Sequence, residues 1–133
     1  MTSEAQAAPF TALQWAGAII TGLVVLFLTF DGVTKIIRVA PVVEATEQLG
    51  LPLSAIVGIG VLLLACTAAY AVPTTAVLGA VLLTGYLGGA AAIHLRAGSG
   101  AFPMAFSIGF GALVWAGLVL RKPRLFWTIV LRQ

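Results

Sequence analysis
Four long runs of apolar residues, separated by short polar breaks, organise the chain. The first extends from about Ala12 to Phe30 and meets Asp31. The second runs from about Leu53 to Val72, the third from about Ala76 to Leu95, and the fourth from about Phe102 to Leu120. Apart from residues at their ends, the runs carry no charge. Each approaches the roughly 20 apolar residues that a helix needs to cross about 30 Å of hydrocarbon. Ten-residue alternating strands are absent, so helices are the spanning form expected. The pattern predicts an all-α fold: a single transmembrane domain over 1–133, built as an antiparallel up-down-up-down four-helix bundle.

The breaks between runs set the topology. Val72-Pro73-Thr74-Thr75 is so short that the second and third helices form a tight antiparallel hairpin, with Pro73 unable to continue the helix before it. The glycines of Arg96-Ala97-Gly98-Ser99-Gly100-Ala101 stop the third helix, and Pro103 suits the first turn of the fourth. The break from Asp31 to Pro52 is longer. Within it, Val42, Val43, Ala45, Thr46 and Leu49 are placed to line one side of a short interfacial helix. A basic tail, 121–133, mixes Arg121, Lys122, Arg124 and Arg132 with Leu125, Phe126, Trp127 and Ile129. It reads equally as an interfacial anchor on anionic lipid or as a frayed end.

Composition strengthens this picture. Charged residues make up 8% of the chain and hydrophobic ones 61%, against roughly 25% charged in soluble domains. Too little polar surface exists to cover a water-soluble globule, so lipid is the expected solvent. The residues before the first run hold no Lys or Arg, and no small-residue cleavage site follows it; the run is read as a retained span and not a signal peptide. With four spans, the termini and the Pro73 turn share one side with Arg121, Lys122, Arg124 and Arg132. The other side holds Lys35, Arg38 and Arg96. The positive-inside rule then favours cytoplasmic termini. The net charge of +3 follows from the same rule and implies no nucleic-acid partner.

Small residues are expected to hold such a bundle together, because lipid tails compete equally with Leu for apolar contact. The candidates are Gly58 and Gly60 on the second helix, Gly85, Gly88, Gly89 and Ala92 on the third, and Gly109, Gly111 and Gly117 on the fourth. They are read as packing surfaces within one chain, ahead of a homodimer motif. Phe10, Trp15, Tyr70 and Trp127 lie near span ends, where amphipathic rings favour headgroup level.

Candidate chemistry gathers at one membrane face. Charges next to spans are costly and mark the first place to look for function. Chain direction brings Asp31, Lys35, His94 and Arg96 to the same face, with Glu44 and Glu47 beside them. Tyr86 lies about two turns deeper than His94. Two readings of this cluster stand side by side. In the first it is a polar pocket acting on a lipophilic molecule, with catalytic groups His94 or Asp31 as acid–base and Tyr86 as hydrogen-bond donor, and Lys35, Glu44 and Arg96 as binding groups, Arg96 or Lys35 stabilising an anion. In the second, Asp31 pairs with Lys35 while His94 and Arg96 snorkel to headgroups. No metal site is expected, since His94 has no second His or Cys at ligand spacing. Cys66 falls in mid-span, where apolar surroundings disfavour thiolate chemistry, and it has no partner thiol.

Several segments carry a resemblance. They are Phe30-Asp31-Gly32-Val33-Thr34-Lys35, Pro41-Val42-Val43-Glu44, the stretch from Leu64 through Pro73 to Leu83, and Trp115 followed by Arg121-Lys122-Pro123-Arg124. The most specific is Thr84-Gly85-Tyr86-Leu87-Gly88-Gly89-Ala90 through His94-Leu95-Arg96. Together they resemble the DoxX-like family of bacterial membrane proteins. The resemblance implies a four-helix membrane bundle. It also implies an accessory or assembly subunit, since the family name comes from a small subunit associated with thiosulfate:quinone oxidoreduction and relatives are linked to membrane redox assemblies. The partners it suggests are the lipid bilayer, a protein of a membrane complex, and a lipophilic small molecule or quinone; it defines no cofactor. Asp31, Lys35, Glu44, Tyr86, His94 and Arg96 match the family pattern. The dithiol of a four-helix redox enzyme such as vitamin K epoxide reductase is absent.

Overall fold
The computed structural model describes residues 11–122 and residue 124. The described residues are helical throughout and form no strand. Helix α1 is Ala12–Ile36, α2 Ala40–Gln48, α3 Ile56–Ala71, α4 Ala76–Ala97 and α5 Ala101–Arg121. Single 3-10 turns, Leu53–Ala55 and Pro73–Thr75, lead into α3 and α4. Four helices are long and apolar enough to cross a membrane, and α2 is the short helix between the first two of them.

Local signals explain the boundaries. Thr11 starts α1 with a capping box: its hydroxyl accepts from the Gln14 amide, and its own amide donates to the Gln14 side chain. That satisfies two of the donors a helix start leaves open. The first apolar run stops at Asp31, but the helix does not. It continues to Ile36 because Lys35 neutralises Asp31 one turn later on the same face. Helices α1, α2 and α4 end in the same reciprocal turn. An amide beyond each end reaches back to Thr34, Thr46 and His94 O, from Val39, Leu51 and Ser99 respectively, at 3.1–3.2 Å. Such a turn needs one left-handed residue, usually glycine. Gly50 and Gly98 serve α2 and α4, with φ of 73° and 68°. In α1 the position is held by Arg38, with φ of 55°.

The spanning helices close a ring in the order α1, α3, α4, α5, each packed antiparallel to its neighbours. The core runs along the axis and combines Val24 and Leu28 of α1, Leu63, Cys66 and Tyr70 of α3, Ala80 and Leu83 of α4, and Val114 and Leu118 of α5. Large side chains such as Leu13, Leu26, Phe30, Leu95 and Phe102 face outward. Glycines and alanines at the helix contacts, with large apolar side chains free to face outward as well as inward, is the arrangement expected where lipid is the solvent.

The glycines that make this packing are mostly not those marked by spacing. A Cβ on Gly79 would lie 2.2 Å from the Tyr70 amide nitrogen, and one on Gly17 2.4 Å from that of Arg121. Gly32 and Gly60 face each other across α1 and α3. Gly117 sits against Thr21 and Tyr70. By contrast, a Cβ on Gly58, Gly85, Gly88, Gly89 or Gly109 would meet nothing within 4 Å, and Gly111 only the tip of Leu87. Spacing along one helix cannot report its rotation about its own axis. Of the expected glycines, Gly60 and Gly117 pack closely between helices.

Two further expectations change. Tyr70 is no headgroup ring: it is fully buried, because its ring turns into the bundle and finds a carbonyl acceptor there. On α2, Thr46 is buried and Val42, Val43 and Leu49 are half-buried, whereas Ala45 turns outward. Phe10, Trp127 and the tail residues Leu125, Phe126, Ile129 and Arg132 lie outside the described residues.

Candidate functional site
At the face where α1 and α4 end and α3 begins, Asp31 and Lys35 form an ion pair. The Lys35 ammonium donates to Asp31 Oδ2 at 2.6 Å. Their side chains are 35% and 19% exposed respectively, so the pair is partly shielded from water. The Lys35 stem is buried because Gly60 leaves space for it: a Cβ on Gly60 would lie 2.9 Å from Lys35 Cβ. Thr34 returns its hydroxyl to Asp31 O at 2.7 Å. In this arrangement Asp31 serves first as the partner of a cation that would otherwise sit unpaired next to lipid.

Arg96 has a different task. Its guanidinium donates to Leu49 O at 2.9 Å. That carbonyl closes α2, whose last turn contains no basic residue. A cation there satisfies an open carbonyl and complements the negative end of the helix dipole. Arg96 thus ties the end of α4 to the end of α2. Glu44 and Glu47 lie exposed on the outer side of α2.

Tyr86 and His94 complete the set. Tyr86 is half-buried against the core of the bundle. His94 is half-buried, and its Nδ1 is buried with no hydrogen-bond partner. The structure therefore pairs Asp31 with Lys35, gives neither Tyr86 nor His94 a side-chain hydrogen bond to that pair, holds Arg96 on Leu49, and leaves Glu44 outside. Among the described residues no three His, Cys, Asp or Glu side chains converge as a metal site.

A second polar cluster, at the opposite end, has no counterpart in the reading of the sequence. The Tyr70 hydroxyl donates to Val114 O at 2.7 Å. The Arg121 guanidinium lies over the Tyr70 ring, 5.4 Å from its centroid, and donates to Tyr70 O at 3.4 Å. Lys122 donates to Pro73 O, and the Thr75 hydroxyl donates to Ala69 O at 2.7 Å. Open carbonyls at the end of α3 are thus met by Thr75 and Arg121, and that of Pro73 in the turn by Lys122. Thr21 Oγ1 and Arg121 Nε are buried here without partners. The sequence does hold a signal for this cluster: Gly17 and Thr21, and Gly117 and Arg121, are small–polar pairs four residues apart on helices that turn out to be neighbours.

Curated proteins and solved structures give no match to the chain. A family model does match, over residues 19–117, from within α1 almost to the end of α5. That interval takes in both polar ends of the bundle except Gly17, Arg121 and Lys122. With four apolar helices able to span a membrane and a family match over most of its length, this multi-pass membrane protein belongs to the DoxX-like family.

Proposed function
We propose that the protein is an accessory or assembly subunit that packs beside another membrane protein, in keeping with a role in a membrane redox complex. The outer face of α4 carries this reading. Gly85, Gly88, Gly89 and Ala92 all face outward, and the three glycines have open space where a Cβ would be. Glycine in a helix costs about 1 kcal/mol relative to alanine, and lipid gives nothing in return. A neighbouring helix does, because small residues let two backbones approach closely in a membrane. The reading keeps the termini and the Pro73 turn on the cytoplasmic side of a bacterial inner membrane.

Replacing Gly85 and Gly89 together by Leu tests it. The pair faces open space, so thermal stability in detergent should stay within about 1 kcal/mol of the parent. Co-purification of a partner from native membranes in mild detergent should be lost. A Gly109→Leu control, on the outward side of α5, should retain the partner. Equal recovery of a lone monomer from parent and variant would count against the subunit reading.

A second reading uses the Asp31 end. There the protein is a small enzyme or binding protein for a lipophilic molecule such as a quinone. His94 or Asp31 is its acid–base group, Tyr86 a hydrogen-bond donor, and Lys35, Glu44 and Arg96 its binding groups. The buried, unpartnered Nδ1 of His94 favours it, because a buried polar atom normally has a partner. Under this reading, His94→Gln and Tyr86→Phe each deplete a lipophilic molecule from solvent extracts of the purified protein while helicity is unchanged. Identical extracts from the parent and both variants would eliminate it.

A further inference from the structure
The outer wall between α1 and α5 contains an open groove of about 640 Å³, within the size range of ligand sites. Leu23, Phe27, Phe30, Phe110 and Leu113 line it above a floor at Val24, and no polar atom contributes to its surface. A ladder of rings extends it along the helix axis. Centroids are 4.7 Å apart from Phe27 to Phe110, 5.3 Å from Phe110 to Phe106, and 5.9 Å from Phe106 to Phe102. With Phe30 these make five of the chain's seven phenylalanines, gathered on one surface. Such a groove takes a hydrocarbon chain.

The end of the same helix supplies a charge. About 9 Å of helix separates Phe30 from Ile36, which carries α1 from hydrocarbon to headgroup depth. Just beyond stands Arg38, exposed, with no ion pair or side-chain hydrogen bond among the described residues. Its backbone is left-handed, in the turn position where α2 and α4 use Gly50 and Gly98. An arginine there is conformationally costly, and a backbone outlier of this kind points to a task outside the fold. A free cation at headgroup depth, two residues past the helix that walls an apolar groove, matches an anionic phospholipid in both parts.

We propose that the α1–α5 groove binds an anionic phospholipid, with an acyl chain along the phenylalanine ladder and the phosphate neutralised by Arg38. The site is independent of whether α4 carries a protein partner, since it lies on other helices. The full-length protein in detergent is titrated with dioleoyl phosphatidylglycerol or dioleoyl phosphatidylcholine, and binding is read by native mass spectrometry and thermal shift. The parent should bind phosphatidylglycerol more tightly. Arg38→Gly restores the residue that the turn prefers, so stability without lipid should hold or rise while phosphatidylglycerol affinity falls roughly fivefold, as for one cation lost at an anionic surface. Leu113→Trp, at a 42% exposed position, should fill the groove and weaken both lipids. Equal affinity of the parent for the two lipids, unchanged phosphatidylglycerol binding by Arg38→Gly or by Leu113→Trp, or equal stabilisation by inorganic phosphate would each overturn the proposal.

Discussion

Gly79→Val is expected to prise α3 from α4 and destabilise the bundle by about 3 kcal/mol or more, at the upper end for overpacking in a core. A Cβ at this position would fall 2.2 Å from Tyr70 N, 2.3 Å from Tyr70 Cα and 2.7 Å from Ala69 C. All three are backbone atoms, so no side-chain rotation relieves the clash. The hairpin turn Pro73–Thr75 lies only a few residues away and holds the two helices at short range. The helices must therefore separate along their whole contact or the turn must unwind. Gly85→Val on the same helix is the internal control. It has the same change in helix propensity, which favours valine slightly over glycine, but open space at the Cβ, and should leave stability unchanged or raise it by a few tenths of a kcal/mol. Thermal unfolding of the two variants in one detergent decides the matter. Equal stabilities of the two variants would show that the close contact at Gly79 does not hold the hairpin together.

Tyr70→Ala should cost about 3–5 kcal/mol, as for large aromatic truncations in a core. The ring is fully buried, touches core residues of other helices, and lies under the Arg121 guanidinium. Truncation leaves a buried cavity near the Pro73 end of the bundle and removes the surface on which Arg121 rests. Tyr70→Phe separates the two contributions. It keeps the ring and the cation above it but loses the hydroxyl bond to Val114 O, with an expected loss of about 0.5–1.5 kcal/mol. The same unfolding measurement serves. If Tyr70→Phe proved as damaging as Tyr70→Ala, the hydroxyl bond and not the packed ring would be the main tie between α3 and α5.

Both residues mark the limit of what the chain revealed before its structure was known. Four spans, the hairpin at Pro73 and the short α2 were legible, because apolar run length and turn residues are local properties. The inward side of each helix was not. In water a polar face announces the outside, but in these spans both sides are apolar, and spacing alone carries no rotational phase. Gly85 and Gly89 had the familiar four-residue interval and face outward. Gly17 and Gly79 stood apart from any interval and make two of the closest contacts. Tyr70 was misplaced for the same reason: its depth along α3 was right and its direction was not. At the candidate site, the convergence of Asp31, Lys35, Tyr86, His94 and Arg96 on one end followed from chain direction. What each binds did not, because Arg96 finds its acceptor at Leu49, forty-seven residues earlier.

The ring order α1, α3, α4, α5 has a consequence for biosynthesis. Of the four spanning helices described, α5 is made after the others, and it packs against the first, α1, as well as against α4. While the chain is still being synthesised, α1, α3 and α4 can associate only as an open arc. Gly17 then lacks the backbone it abuts, Tyr70 lacks the Val114 carbonyl, and the carbonyls of Tyr70 and Pro73 lack their donors from Arg121 and Lys122. Arrival of α5 meets all of these at once, and its final two described helix-end residues fasten to the turn of a hairpin already in the bilayer. The ring of four described spans is therefore closed by α5, like a clasp, after α1, α3 and α4 are already in the bilayer.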